Sequence, residues 1–285
     1  MITVTTDDGL ALHLRSWPAA HPTRGVAVLV HGLGEHIDRY DHVAKRLNRL
    51  GFSVVGYDHR GHGRSPGQRG GIPADDTLCA DLGHVLRAAR AAVPGPLTLV
   101  GHSLGGLIAG RFVAEGLAAA PAAWWCRVDA LVMSSPALDP GTNAIQKLLL
   151  AVVAPMLPNL AVNNGLKVDW ISRDAGVVKA YAADPLVHDR ITGRLGLFVA
   201  RQGPAVIAAA PRWTTPTLLM WAGSDRCVSP AGSAAFAAAA PRNLVTLREW
   251  PGLFHEIFNE PEQGDVLTVL DQWLDARVPQ AAAHA

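Results

Sequence analysis

Four apolar runs, VAVLVHG (26–32), FSVVGYD (52–58), LTLVGH (97–102) and ALVMSSPAL (130–138), follow one another along the chain with helix-patterned segments between them. They lack the polar alternation of a half-exposed sheet, so each predicts a strand apolar on both faces. Strands of that kind, separated by helices, mark a parallel sheet covered on both sides. Tyr40, Val43, Ala44, Leu47 and Leu50 share one helical face, and further helices are predicted over roughly 75–92 and 104–119. Before the first run, ITVTT (2–6) and LALHLRSW (10–17) flank DDG (7–9) and predict an opening hairpin. No repeat is apparent, which sets aside solenoids and propellers.

The rhythm breaks over 139–212, a stretch that reads as mainly helical, punctuated by proline and without a convincing strand. It resumes with TLLMWAGS (217–224), a helix opened by Ser229-Pro230, LVTLREW (244–250) and a last helix near 262–276. The expected division is a core in two parts, 1–138 and 213–285, with 139–212 as a helical cap. The cap should lie over the carboxyl edge of the sheet, where open α/β sheets bind ligands. The tail from about 278, ending AAAHA, is expected to fray.

Composition narrows the functions available. At 285 residues, 49% hydrophobic and 17% charged, the chain can bury a large core. A net charge of +1 gives no electrostatic case for nucleic acid. Cys79, Cys126 and Cys227 form no C-x-x-C pair, which predicts free thiols in a reducing compartment. MITVTTDDGL lacks a signal-peptide pattern, and the greasiest stretch (148–162) is short for a span and broken by Pro155 and Pro158. A cytoplasmic protein is expected. The greasy stretch has two readings, cap packing or transient contact with a micelle or membrane surface.

Chemistry concentrates in GHSLGG (101–106), where a strand meets a helix and Ser103 stands between Gly101 and Gly105. A nucleophile elbow requires that context. The turn forces the serine into a sparsely populated backbone conformation, and side chains at 101 and 105 would collide with the adjoining elements. A serine hydroxyl needs a base, and in this arrangement the chain order is Ser, acid, His. Of the histidines after Ser103, His188 falls in the insertion and His284 in the tail, whereas His255 follows strand 244–250 on the carboxyl edge. Asp225, directly after strand 217–222, is preferred as the acid over Asp139. An oxyanion hole needs two backbone N–H donors, expected from Leu104 and from Leu33 between Gly32 and Gly34. Asp58, His59 and His62 lack convincing partner ligands and are expected to hold their Gly-rich loop, so no metal and no cofactor is expected.

These residues resemble the α/β-hydrolase superfamily, and within it the monoacylglycerol lipases and related lysophospholipases (the serine aminopeptidase S33-like, Hydrolase_4 group). The resemblance runs nearly end to end, through HGLGEHIDRY (31–40), YDHRGHGRSPGQRG (57–70), GHSLGG, the cap segments, GSDRCVSP and the His255 loop. It implies an α/β-hydrolase fold: a mostly parallel sheet of about eight strands, helices on both faces and a helical cap forming an apolar acyl tunnel. It also implies the triad Ser103, Asp225 and His255 acting on a lipid-like ester. Glu35 and Arg39 match positions that line the glycerol pocket of mammalian relatives. A helix-start pair on the surface is the competing reading. Those relatives carry a second histidine three residues after the catalytic one, where this chain has Phe258. Cys227, two residues past the proposed acid, is expected near the pocket.

Overall fold

The computed structural model describes residues 2–19, 23–141 and 143–278. Its centre is a seven-stranded sheet built from β3 (Leu14–Trp17), β4 (Gly25–Val30), β5 (Phe52–Tyr57), β6 (Leu97–His102), β7 (Ala130–Ser134), β10 (Thr217–Ala222) and β11 (Val245–Trp250). The spatial order is β11-β10-β7-β6-β4-β5-β3. All neighbours run parallel except β3, which pairs antiparallel with β5.

The apolar runs divide their side chains between two cores. In β4, Val26, Val28 and Val30 enter one cluster, and Ala27 and Leu29 enter the other. On the first face Leu82 and Leu86 of α2 (Thr77–Ala92), Leu107 and Phe112 of α3 (Leu104–Glu115), and Phe236 of α7 (Pro230–Ala239) cover the sheet. On the second, Val43 and Leu47 of α1 (Asp41–Arg49) meet Leu270 and Leu274 of α8 (Gln263–Arg277). A strand buried on both faces gains nothing from polar alternation, which is why the runs are continuous.

Two details differ from the expectation. The opening hairpin forms, β1 (Val4–Thr5) with β2 (Ala11–Leu12), but as a ribbon apart from the sheet. The strand breaks at His13, whose N–H donates to Ser65 Oγ (2.9 Å) and whose carbonyl accepts from Asp58 N–H (2.9 Å). Only β3 then joins the sheet, leaving seven strands instead of about eight. The stretch between β7 and β10 carries α4 (Ala144–Met156), α5 (Ala175–Ala183) and α6 (Gly193–Ala209). It also carries an unexpected antiparallel pair, β8 (Ala161–Asn163) and β9 (Arg190–Thr192). Three-residue strands are too short to leave a period-two signature.

Among the described residues no helix is long and apolar enough to cross a membrane. The three cysteines are free. His284 and the end of the tail lie outside the described residues.

Candidate active site

Ser103 occupies the single-residue turn between β6 and α3 with φ 53° and ψ −119°. A non-glycine residue held there stores about 1–3 kcal/mol of strain, tolerated only where neighbours over-determine the turn. They do so here. Ser103 N–H donates to the Ser134 carbonyl, and the Ser103 carbonyl accepts from Leu107 and Ala137, each at 3.0 Å. A Cβ on Gly101 would lie 2.3 Å from the Gly105 carbonyl oxygen, and one on Gly105 would lie 2.1 Å from that of Val30. Both glycines are therefore demanded by backbone crowding around the serine.

The sheet's carboxyl edge brings two further side chains to this turn. Asp225 follows β10 and His255 follows β11, and both side chains are almost fully buried. One carboxylate oxygen of Asp225 accepts from the N–H groups of Cys227 (2.8 Å) and Val228 (3.1 Å), which locks the side chain's rotation. The other lies 2.7 Å from His255 Nδ1, and His255 Nε2 lies 2.8 Å from Ser103 Oγ. An ionised carboxylate can only accept, so Nδ1 carries the proton and Nε2 is left to accept from the serine hydroxyl. Asp139, the competing acid, instead accepts from the Gly141 N–H of its own turn (2.9 Å).

Burial alone would lower the pKa of His255. The charge and hydrogen bond of Asp225 outweigh it, Glu256 and Glu35 add to the same side, and the imidazole ends above its ordinary 6.5. His102, whose ring centre is 4.7 Å from that of His255, is driven the other way. Burial, with the nearby His255 charge, pushes it down to about 3, so it stays neutral beside His255.

The loop after β4 approaches the serine from the other side. His31 Nε2 accepts from the His59 N–H (2.9 Å), which leaves Nδ1–H to donate to the Gly32 carbonyl (2.8 Å). Because a peptide group is planar, holding the Gly32 carbonyl also aims the Leu33 N–H. Leu104 opens α3, where the first amides have no helical acceptor.

Glu35 and Arg39 do pair, as the spacing predicted, but below the surface. Glu35 is 3% exposed and accepts from Gly32 N–H (2.6 Å) and Tyr40 Oη–H (2.7 Å) through one oxygen. Arg39 bonds its other oxygen and makes a two-pronged pair with Glu256, 2.7 Å at each prong. Tyr181 of α5 stacks on the guanidinium at 4.6 Å.

Two cavities meet at Ser103. One of about 280 Å³ is lined by Glu35, Tyr181, Asp184, His255 and Glu256. The other, about 690 Å³, runs under α4 between Leu104, Leu150, Val153, Leu157, Trp170 and Val199. Leu33 and Cys227 border both.

Residues 21–262 match the Hydrolase_4 family, serine aminopeptidase S33. The chain belongs to that family. It is 36% identical over 265 residues to a monoacylglycerol lipase of Mycolicibacterium smegmatis, covering 90% of each chain. It is 30% identical over 284 residues to the monoglyceride lipase of Rattus norvegicus, covering 97% of this chain and 91% of the relative. The crystal structure of a Paleococcus ferrophilus monoacylglycerol lipase superposes with a TM-score of 0.83 at 34% identity, covering 93% of this chain and 99% of that one. The protein has the α/β-hydrolase fold.

Within this Hydrolase_4 chain, Asp58 receives the N–H groups of Ile37 and Arg64, each at 2.8 Å, and His59 Nε2–H donates to the His31 carbonyl (2.9 Å). These are loop-holding bonds. Among the described residues, the cluster whose ligand atoms come within 4.8 Å of one another is Asp225, Cys227 and His255. The Asp225 and His255 atoms are already engaged with each other and with Ser103. Phe258 is buried, and its carbonyl accepts from His42 Nε2–H (2.8 Å). Sequence reasoning did not single out Glu256, Tyr181, His31 or His102. The carboxylate abutting the histidine in FHEIF was the available signal for Glu256.

Proposed function

We propose that this Hydrolase_4 protein is a serine carboxylic ester hydrolase that cleaves monoacylglycerols with medium or long acyl chains to fatty acid and glycerol. The observation that carries the reading is the meeting of two unlike cavities at Ser103. The larger, mostly apolar one suits an acyl chain, and the smaller one bordered by carboxylates suits an alcohol rich in hydroxyl donors. The relatives named monoacylglycerol lipase support the same substrate class.

In this reading His255 Nε2 takes the proton of Ser103 as Oγ attacks the ester carbonyl, and Asp225 keeps the imidazole in its working tautomer. The Leu33 and Leu104 amides receive the oxyanion, each such donor contributing about 10²–10³ in rate. His255 then protonates the departing glycerol oxygen. It next deprotonates the water that releases the acid, restoring Ser103. The steps use no cofactor.

We read 139–212 as a cap over core segments 1–138 and 213–285. Leu148, Met156, Leu157 and Leu160 are 50–76% exposed, and Leu157 and Leu160 also border the larger cavity, which supports transient docking of the cap on a lipid surface. The free cysteines agree with a reducing cytoplasm.

A kinetic panel tests the reading: monoacylglycerols, lysophospholipids and nitrophenyl esters of graded chain length. A preference for lysophospholipids over monoacylglycerols of equal chain length would replace it with a lysophospholipase. An equal rate for all classes would replace it with a broad esterase.

A further inference from the structure

The loop carrying Leu33 follows β4 and the loop carrying His255 follows β11, and three strands separate β4 from β11 in the sheet. No ladder of sheet hydrogen bonds joins these loops directly, yet the proposed chemistry needs them aligned to a fraction of an ångström. Between them lies a buried chain of contacts. Gly32 N–H bonds one oxygen of Glu35, whose other oxygen pairs with Arg39. Arg39 in turn grips both oxygens of Glu256, the residue joined covalently to His255. The Arg39 side chain is 11% exposed, and its guanidinium is roofed by Tyr181. The same cap segment clasps each loop from above: His188 N–H donates to the Gly34 carbonyl (2.8 Å), and Glu256 N–H donates to the Ile171 carbonyl (2.8 Å). A planar fork with fixed donors can bridge two carboxylates rigidly, which a lysine ammonium cannot.

We propose that Arg39, held between Glu35 and Glu256, is a positioning residue that keeps the oxyanion loop and the His255 loop aligned for catalysis. It acts through those loops and not by touching the alcohol, since Arg39 stands behind the wall that Glu35 and Glu256 present to the smaller cavity. The inference rests on the ester-hydrolase reading above.

The test compares monoacylglycerol with a nitrophenyl ester of the same acyl chain, which carries no glycerol. Arg39→Lys keeps the charge but loses the fork. Its kcat should fall about 10–100-fold on both esters, with KM for the nitrophenyl ester within about twofold of the parent. Glu256→Gln, which removes one charged prong at constant size, should shift kcat in the same direction on both, and it carries the test if Arg39→Lys does not fold. A loss confined to monoacylglycerol overturns the brace and makes Arg39 part of glycerol recognition. Unchanged kcat on both esters overturns it outright. Ser103→Ala separates the two ideas: parental turnover by that variant would sink the underlying reading whatever the Arg39 variants do.

Discussion

His255 Nδ1 lies 2.7 Å from Asp225 Oδ2, and no comparable contact joins that histidine to Asp139. Asp225→Asn should therefore lower kcat on a nitrophenyl ester by roughly 10⁴, because an amide facing Nδ1 permits the wrong tautomer. Asp139→Asn should stay within a few-fold of the parent. The opposite ranking would mean that Asp139 is the working acid.

In the proposed mechanism His255 has to be neutral to accept the serine proton, and its pKa is raised. Activity should accordingly fall as pH drops through a midpoint above the ordinary histidine value of 6.5. Glu256 is one of the charges that raise it, so in Glu256→Gln the acidic limb of kcat/KM should move to lower pH. A limb that stays in place or moves up would contradict the electrostatic assignment.

His31 aims the Leu33 amide through the Gly32 carbonyl. Removing that hold in His31→Ala should reduce kcat about 10–100-fold with little change in KM, approaching the cost of one lost oxyanion donor. Binding of a boronic acid that mimics the tetrahedral state should weaken in parallel. Unaltered inhibitor affinity would show that the amide needs no such support.

Val199 borders the larger cavity with Leu150 and Leu157. Val199→Trp should fill part of it and abolish the preference for long acyl chains while leaving acetyl and butyryl esters within a few-fold. Equal losses at every chain length would indicate that the acyl group lies elsewhere.

Cys227 is 7% exposed at the border of both cavities, and burial pushes its thiol well above the ordinary range. A bulky maleimide should inactivate the protein slowly near neutrality and faster as pH rises toward the thiolate. Cys227→Ala should remove that sensitivity; persistence of the inhibition would place the reactive thiol at another position.

Much of this was legible locally. The continuous apolar runs stated the parallel sheet, because a strand buried on both faces has no polar face to conserve, and β4, β6, β7 and β10 are buried throughout. Chain order left both Asp139 and Asp225 open as partners for His255, and only loop position favoured Asp225; in the structure the loops after β10 and β11 open on the same carboxyl edge as the turn after β6. The break that keeps β2 out of the main sheet was not legible. The bend at His13 depends on Ser65 and Asp58, which arrive from a loop some fifty residues away. Nor were β8 and β9, which carry too few residues to print a period.

The amino-acid order alone determined which residue stands in the strained turn, since backbone crowding admits nothing but glycine at 101 and 105. It also placed an aspartate and a histidine, Asp225 and His255, after Ser103 in the order the proposed triad requires. Only the tertiary structure decided the burial of the Glu35–Arg39 pair and its pairing with Glu256. Spacing of four describes a solvated pair and a buried one equally well. The choice between them depends on desolvation by Tyr181 and on a second carboxylate brought in by a loop more than two hundred positions away.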